Sequence, residues 1–169
     1  MTRPDAPEHL REEDFTPFVE GLDYPVYVVT AAAKGETSGC LVGFATQSSI
    51  DPPRLLVCIS QANYTHGVAL AATHLAVHLV PDDRRDLAEL FGSETGDEVD
   101  KLSRAAWTSG PGGVPLLDGC PRRVVGEVLA RHDLGDHTGH LLAPVVVDLA
   151  EGQTLTFADV VDLDPGHDA

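Results

Sequence analysis

The chain has 169 residues, 43% of them hydrophobic, which is enough for one domain with a sizeable core. It carries 27 acidic and 11 basic side chains, and the formal net charge of -16 repels nucleic acid and anionic membrane surfaces, so both partners are excluded. No run approaches the roughly 18 apolar residues of a membrane span, and the acidic start lacks the order of a signal peptide, so we expect a cytoplasmic protein.

The first third of the chain predicts a helix followed by strands. Residues 1–10 and 164–169 are expected to be flexible tails around a single domain at residues 11–163. Apolar side chains at helical spacing predict a short helix at residues 11–22. Apolar and β-branched runs predict three strands, at residues 25–33, 39–46 and 54–60.

The rest of the chain predicts further helices and then a return to strands. Residues 65–72 and 96–107 predict helices, and a third helix is expected to open at Pro81 and close at Gly92. Strands are predicted at residues 74–80, 123–131, 140–149 and 154–163. Short strands with few helices favour a mainly β antiparallel barrel over a doubly wound sheet.

The three cysteines form no disulfide framework or zinc-binding pattern, because they are odd in number and widely spaced. Buried free thiols are predicted at Cys40, Cys58 and Cys120.

A cluster of ionisable side chains follows residue 131 and could donate ligands to a divalent metal. Its members are His132, Asp133, Asp136, His137 and His140. On one strand, residues 137 and 140 face opposite sides of the sheet, so a shared ion would require the turn between Gly135 and Gly139 to fold them together. The same histidines also fit solvated turn residues, and no metal site is predicted.

The segment GCLVGFATQSSIDPP, residues 39–53, resembles the flavin reductase-like family. The family pattern has a glycine, then threonine-alanine-serine, then serine-leucine-aspartate-proline-proline. Further matches follow in order at VCIS (57–60), NYT (63–65), LFG (90–92), GVPLL (113–117) and GDH (135–137), so the resemblance spans roughly residues 16–149.

The resemblance implies an FMN-binding split β-barrel of antiparallel strands that forms a homodimer and holds FMN, or FAD, in a groove at the dimer interface. Ring-contacting positions would be Leu41, Val42, Gly43, Phe44, Thr46, Gln47, Ser48 and Ser49. Asn63 and Thr65 at a helix start would favour the phosphate, and Arg84 and Lys101 would add positive charge.

The activity implied is a flavin reductase that transfers hydride from NADH or NADPH to flavin and feeds reduced flavin to a monooxygenase. His137 would be the catalytic residue near the flavin and nicotinamide, with Asp136 fixing its tautomer. His78 stands where the family has asparagine and fits either a strand-end histidine or a second flavin-proximal imidazole. Because residues 41–44 lack the family's hydroxyls, a non-catalytic flavin-binding protein remains an alternative, with a metal-binding barrel as a third.

Overall fold

The computed structural model describes residues 9–166, so the outer parts of the two expected tails, residues 1–8 and 167–169, lie outside it. The helices are α1 Glu12–Val19, α2 Tyr64–Ala71, α3 Arg85–Ser93 and α4 Phe157–Val160. The strands are β1 Tyr27–Ala33, β2 Glu36–Val42, β3 Ala45–Ser49, β4 Arg54–Ser60, β5 His74–Leu79, β6 Trp107–Ser109, β7 Pro115–Leu117, β8 Arg123–Asp133 and β9 His137–Asp148.

Within the described chain, seven strands form one antiparallel sheet in the order β2-β1-β5-β8-β9-β4-β3, and β6 pairs with β7. Strands β2 and β3 lie at opposite edges, yet only Gly43 and Phe44 separate them in the sequence. The sheet must therefore curl until its edges approach each other. Irregular pairing in β3 and β8 increases that curvature. The predicted mainly β, antiparallel split barrel is confirmed.

Strands β1 and β5 are buried on both faces over most of their length, which accounts for their nearly continuous apolar sequence. Along β1, Val29 and Ala31 join a cluster that includes α2, whereas Val28 joins a second cluster with Leu87 and Phe91 of α3. Successive side chains of a strand point to opposite faces, so one strand serves both clusters. Burial on both sides fixes the orientation of β1 and its neighbours.

Several predicted elements are confirmed. Strand β4 has the predicted bounds, and β1 and β2 form a hairpin across Lys34 and Gly35, both with positive φ. Helix α3 ends one residue past the expected Gly92, but it begins at Arg85 and not at the expected Pro81, which forms a bridge with Thr154. No helix among residues 9–166 is long and apolar enough to cross a membrane.

Three predicted elements are wrong. The strand expected at residues 39–46 is divided between β2 and β3, since the chain passes from one sheet edge to the other at Gly43. The helix expected at residues 96–107 is reduced to a 3-10 turn at Lys101–Arg104, and β6 begins at Trp107. The strand expected at residues 154–163 forms only isolated bridges and then α4.

Candidate functional site

A groove of about 380 Å³ opens where β2 passes into β3, and we call it the aromatic groove. Its walls come from this junction, from β4, from the end of α3 and from the segment that contains α4. The side chains and backbone that line it include Tyr24, Leu41, Val42, Gly43, Phe44, Cys58, Ser60, Asn63, Phe91, Glu94, His137, Phe157 and Leu163. This volume is within the range of small-molecule sites.

Four rings follow one another along the groove. The Phe44 ring centroid lies 5.2 Å from that of His137 and 6.4 Å from that of Tyr24. Tyr24 stacks on Phe157 with centroids 5.0 Å apart and an interplanar angle of 23°. Phe44 keeps 55% of its surface exposed, so its ring is available to a ligand. We call Tyr24, Phe44 and Phe157 the aromatic wall, which suits a flat aromatic ligand.

The aromatic wall depends on a long-range connection between the two ends of the described chain. Pro25 and Thr156 form an isolated antiparallel bridge, and the Phe157 amide donates to the Tyr24 carbonyl over 2.8 Å. The α4 start is fixed by a capping box between Thr156 and Asp159. These bonds hold Phe157 against Tyr24.

Gly43 lies at the centre of the strand junction, beside the aromatic wall. A Cβ built on Gly43 would lie 3.2 Å from Cε2 of Tyr24, which is tighter than ordinary van der Waals contact. Gly43 itself is half-buried and lines the groove, so it presents backbone and no side chain at the groove surface.

His137 lies at the end of the β8–β9 hairpin, where its imidazole borders the groove. Its Nδ1 is 2.7 Å from Oδ1 of Asp136, and this hydrogen bond holds the pKa of Asp136 below its usual range. An ionised carboxylate can only accept, so Nδ1 donates in this hydrogen bond, and the tautomer with its proton on Nδ1 leaves a lone pair on Nε2. The Asp136 backbone carbonyl in turn accepts from the Gln61 amide over 2.9 Å.

The four predicted positions on β3 lie outside the aromatic groove. Thr46 lines a shallow extension of it, beside Phe44 and Cys58. Gln47 and Ser48 are exposed, Ser49 is half-buried, and the Gln47 side chain donates to the Ser49 carbonyl over 3.3 Å. Gln47, Ser48 and Ser49 are therefore not brought to the groove, and Thr46 reaches only its extension.

Asn63 and Thr65 lie on either side of the first residue of α2 and have different surroundings. Asn63 lines the groove, and its Oδ1 accepts from the Thr65 amide over 3.0 Å. Thr65 is only 1% exposed, and its hydroxyl lies 2.8 Å from that of Ser38 in the interior. The helix start is therefore capped by the chain's own side chain.

The two predicted cationic contacts are also placed elsewhere. Arg84 forms a bidentate pair with Asp86, which raises the pKa of Arg84. Lys101 is 5% exposed, its Nζ donates to the carbonyls of Phe91 and Gly39, and burial lowers its pKa. Lys101 lines a separate cavity of about 230 Å³ instead of the aromatic groove.

The other histidines do not extend the site. His78 is buried in the core, where its ring bonds to the Val28 carbonyl and the Leu117 amide, so the flavin-proximal interpretation is wrong. Burial lowers its pKa to about 4. His140 is buried while His137 borders the groove, and residues 9–166 contain no group of three or more His, Cys, Asp or Glu suited to a metal ion.

Tyr24, Phe157 and Glu94 line the groove without having been predicted from the sequence, and Cys58 was predicted only as a buried thiol. Cys58 is half-buried in the groove, whereas Cys40 and Cys120 are buried, and all three are free. A local signal existed for Phe157, because Thr156 and Asp159 form the Thr-x-x-Asp pattern of a capping box at the start of its helix. No local signal connects Tyr24 with Phe157, which lie at opposite ends of the domain.

The fold and the groove together define a split-barrel protein with a site for a flat aromatic ligand. The sequence model of the flavin reductase like domain matches residues 19–161. The chain therefore belongs to the flavin reductase-like domain family.

Individual relatives agree with this assignment. The chain is 30% identical over 107 residues to "FMN reductase (NADH) RutF" of Stutzerimonas stutzeri, a match that covers 63% of this chain and 61% of that relative, which is less than two thirds of its length. It is 26% identical over 148 residues to the reductase component of the FADH(2)-dependent resorcinol hydroxylase of Rhizobium sp., covering 86% and 82%. The crystal structure of an FMN-binding protein from Thermus thermophilus matches with a TM-score of 0.72 and 31% identity, covering 87% of this chain and 79% of that one.

Proposed function

We propose that the protein is an NAD(P)H-dependent flavin reductase that transfers hydride to FMN, with FAD as an alternative acceptor. The observation that carries the proposal is the aromatic groove, which is built by the same β2–β3 segment that bears the family pattern. The names of the relatives, an FMN reductase (NADH) and a hydroxylase reductase component, support the same chemistry.

The groove residues fit a flavin ring. Gly43 offers accessible backbone, Phe44 offers an exposed ring face, and the Asn63 side chain lies in the lining. Bound flavin would supply the hydride acceptor, while the protein supplies binding and orientation. Leu41 and Val42 complete an apolar surface that excludes water from the ring.

His137 would position the nicotinamide donor. Its Nδ1 proton is held by Asp136, so Nε2 is an acceptor for the carboxamide N–H of the donor. Hydride transfer from the nicotinamide to the flavin does not require a proton from His137. The imidazole would therefore orient the nicotinamide and would not act as a general acid. Its contact with the Phe44 ring keeps it beside the flavin-binding surface.

The wider context is proposed on the same basis. Residues 11–163 would form one domain that acts as a homodimer and supplies reduced flavin to a monooxygenase. Relatives named as reductase components of flavin-dependent monooxygenases support that partner. A cytoplasmic location is proposed, because three free cysteines are typical of a reducing compartment.

A stopped-flow assay tests the activity and the role of His137. The protein with FMN is mixed with NADH or NADPH, and the loss of flavin absorbance gives the reduction rate. His137→Ala should slow reduction more than it weakens FMN binding, whereas His132→Ala, at an exposed histidine of the same hairpin, should leave both unchanged. Equal reduction rates for His137→Ala and the wild type would contradict the assigned role.

A non-catalytic flavin-binding protein is the second candidate. Residues 41–44 provide no side-chain hydroxyl to the groove, and the Thermus thermophilus relative is named only for FMN binding. Flavin that binds stoichiometrically but is bleached by neither NADH nor NADPH would favour this candidate over the reductase.

A further inference from the structure

The aromatic groove is lined mainly by rings and apolar groups. The aromatic wall runs for three successive rings, and His137 continues it at one end. Phe44 is the most exposed of these rings, and it projects from the strand junction where the accessible backbone of Gly43 also lies. Such a surface binds a planar ring by stacking, whatever substituent the ring carries.

The charge at the groove is unfavourable to a phosphate. Among the described residues that line it, none is Lys or Arg, and Glu94 contributes a carboxylate. Arg104, the cation beside Glu94, lies 3.7 Å from that carboxylate and is paired with it. The Asp136 carboxylate lies next to His137, and the whole chain has a formal net charge of -16.

The alternative anion sites are already occupied by the protein itself. Lys101 is directed at two backbone carbonyls, and Arg84 is paired with Asp86. At the α2 start, the Thr65 amide is bonded to the Asn63 side chain. A phosphate would have to displace an existing partner at each of these positions.

We propose that the aromatic groove recognises flavin by its tricyclic ring and gives the phosphate no advantage, so that riboflavin binds at least as tightly as FMN. Riboflavin has the same ring and ribityl chain but lacks the phosphate. This inference deepens the proposed function and rests on it, because it assumes that flavin is the ligand of the groove. It makes free flavins as a class, and not phosphorylated flavin alone, the substrates of the site.

Equilibrium titration of the full chain with riboflavin and with FMN, followed by flavin fluorescence without any nicotinamide, measures the selectivity. The dissociation constant for riboflavin should equal or lie below that for FMN at about 20 mM salt, and FMN should bind more tightly at about 300 mM salt as repulsion is screened. A phosphate clamp of charged donors would favour FMN by about tenfold or more, and that result would overturn the inference.

Three variants separate ring recognition from charge. Glu94→Gln should tighten FMN binding by about threefold, and Arg104→Gln should weaken it by a similar factor, while the affinity for riboflavin should change much less in both variants. Phe44→Ser should weaken both flavins by the same factor, because stacking acts on the shared ring. A Phe44→Ser variant that weakens FMN alone, or a Glu94→Gln variant that does not tighten FMN, contradicts the inference.

The outcomes also distinguish this inference from the proposed function. FMN-selective binding with reduction by NADH would overturn only the ring-recognition inference. Binding of both flavins without reduction would overturn only the reductase activity, and no binding of either flavin would overturn both.

Discussion

Replacing His140 by leucine should make the protein more resistant to acid. His140 is 0% exposed, and neither of its ring nitrogens has a hydrogen-bond partner among the described residues. Burial, followed by the nearby Arg131 and His66, lowers its pKa from 6.5 to about 4. Unfolding exposes the ring to water, where it again takes up a proton near its ordinary pKa.

The sign and size of the effect follow from proton linkage. Between pH 6.5 and pH 4 the unfolded chain binds more protons at this site than the folded chain, so stability is complete above the unfolded value of 6.5 and is lost as the pH falls. Because the pKa of His140 is lowered from 6.5 to about 4, the folded protein should lose about 2 kcal/mol of stability between about pH 7 and about pH 5. Leucine removes this loss and also removes an unsatisfied buried polar group, a further gain of about 1 kcal/mol or more at neutral pH.

Urea denaturation near pH 7 and near pH 5 gives the free energy of unfolding at both values. The matched control is His78→Leu, since His78 has a pKa lowered to about 4 by burial but forms two hydrogen bonds. Both variants should lose about 2 kcal/mol less than the wild type on acidification, yet only His78→Leu should be destabilised at neutral pH. An acid-induced loss in His140→Leu as large as that of the wild type would refute the linkage argument.

Three further outcomes are expected. A thiol reagent should modify Cys58 alone among the three cysteines, and it should do so slowly because burial raises the pKa of the Cys58 thiol. Saturating FMN should protect Cys58 from this modification, as measured by mass spectrometry, because Cys58 lines the groove. If flavin does not slow the labelling, the ligand binds elsewhere. Thr30→Val should lower the free energy of unfolding by about 1 kcal/mol, because the buried Thr30 hydroxyl donates to the Pro115 carbonyl, whereas Thr30→Ser should keep most of it. Gly43→Ala should weaken riboflavin and FMN alike, by about fivefold in titrations, since its methyl group meets the Tyr24 ring; a wild-type affinity would show that the ring can yield.

The barrel was predictable where local signals agree with burial. Strand β4 was located correctly because an apolar run follows two prolines, and the β1–β2 hairpin was located because Gly35 supports the turn. The strand expected at residues 154–163 failed because Phe157, Val160 and Leu163 line the groove from α4 and the turn that follows it. The capping box at Thr156 was a helix signal that the periodicity concealed.

The site was predictable where the family pattern contributes residues to the groove. Residues 41–44, Asn63 and His137 do lie together, since the family pattern follows the strand junction and the hairpin end. Lys101 and Arg84 were assigned by charge alone, and charge does not reveal that two carbonyls and Asp86 already engage them. Such competition for hydrogen bonds depends on the folded neighbours and has no signature in the sequence.

The bridge between Pro25 and Thr156 can form only after the last part of the domain has been synthesised. Every strand of the barrel precedes residue 149, whereas Phe157 and Leu163 complete the groove from beyond it. A chain that stops at residue 149 would therefore contain all the strands of the barrel without the wall that holds a ring. Flavin binding by a nascent or truncated chain would accordingly report that the C-terminal segment has been made and has docked beside Tyr24.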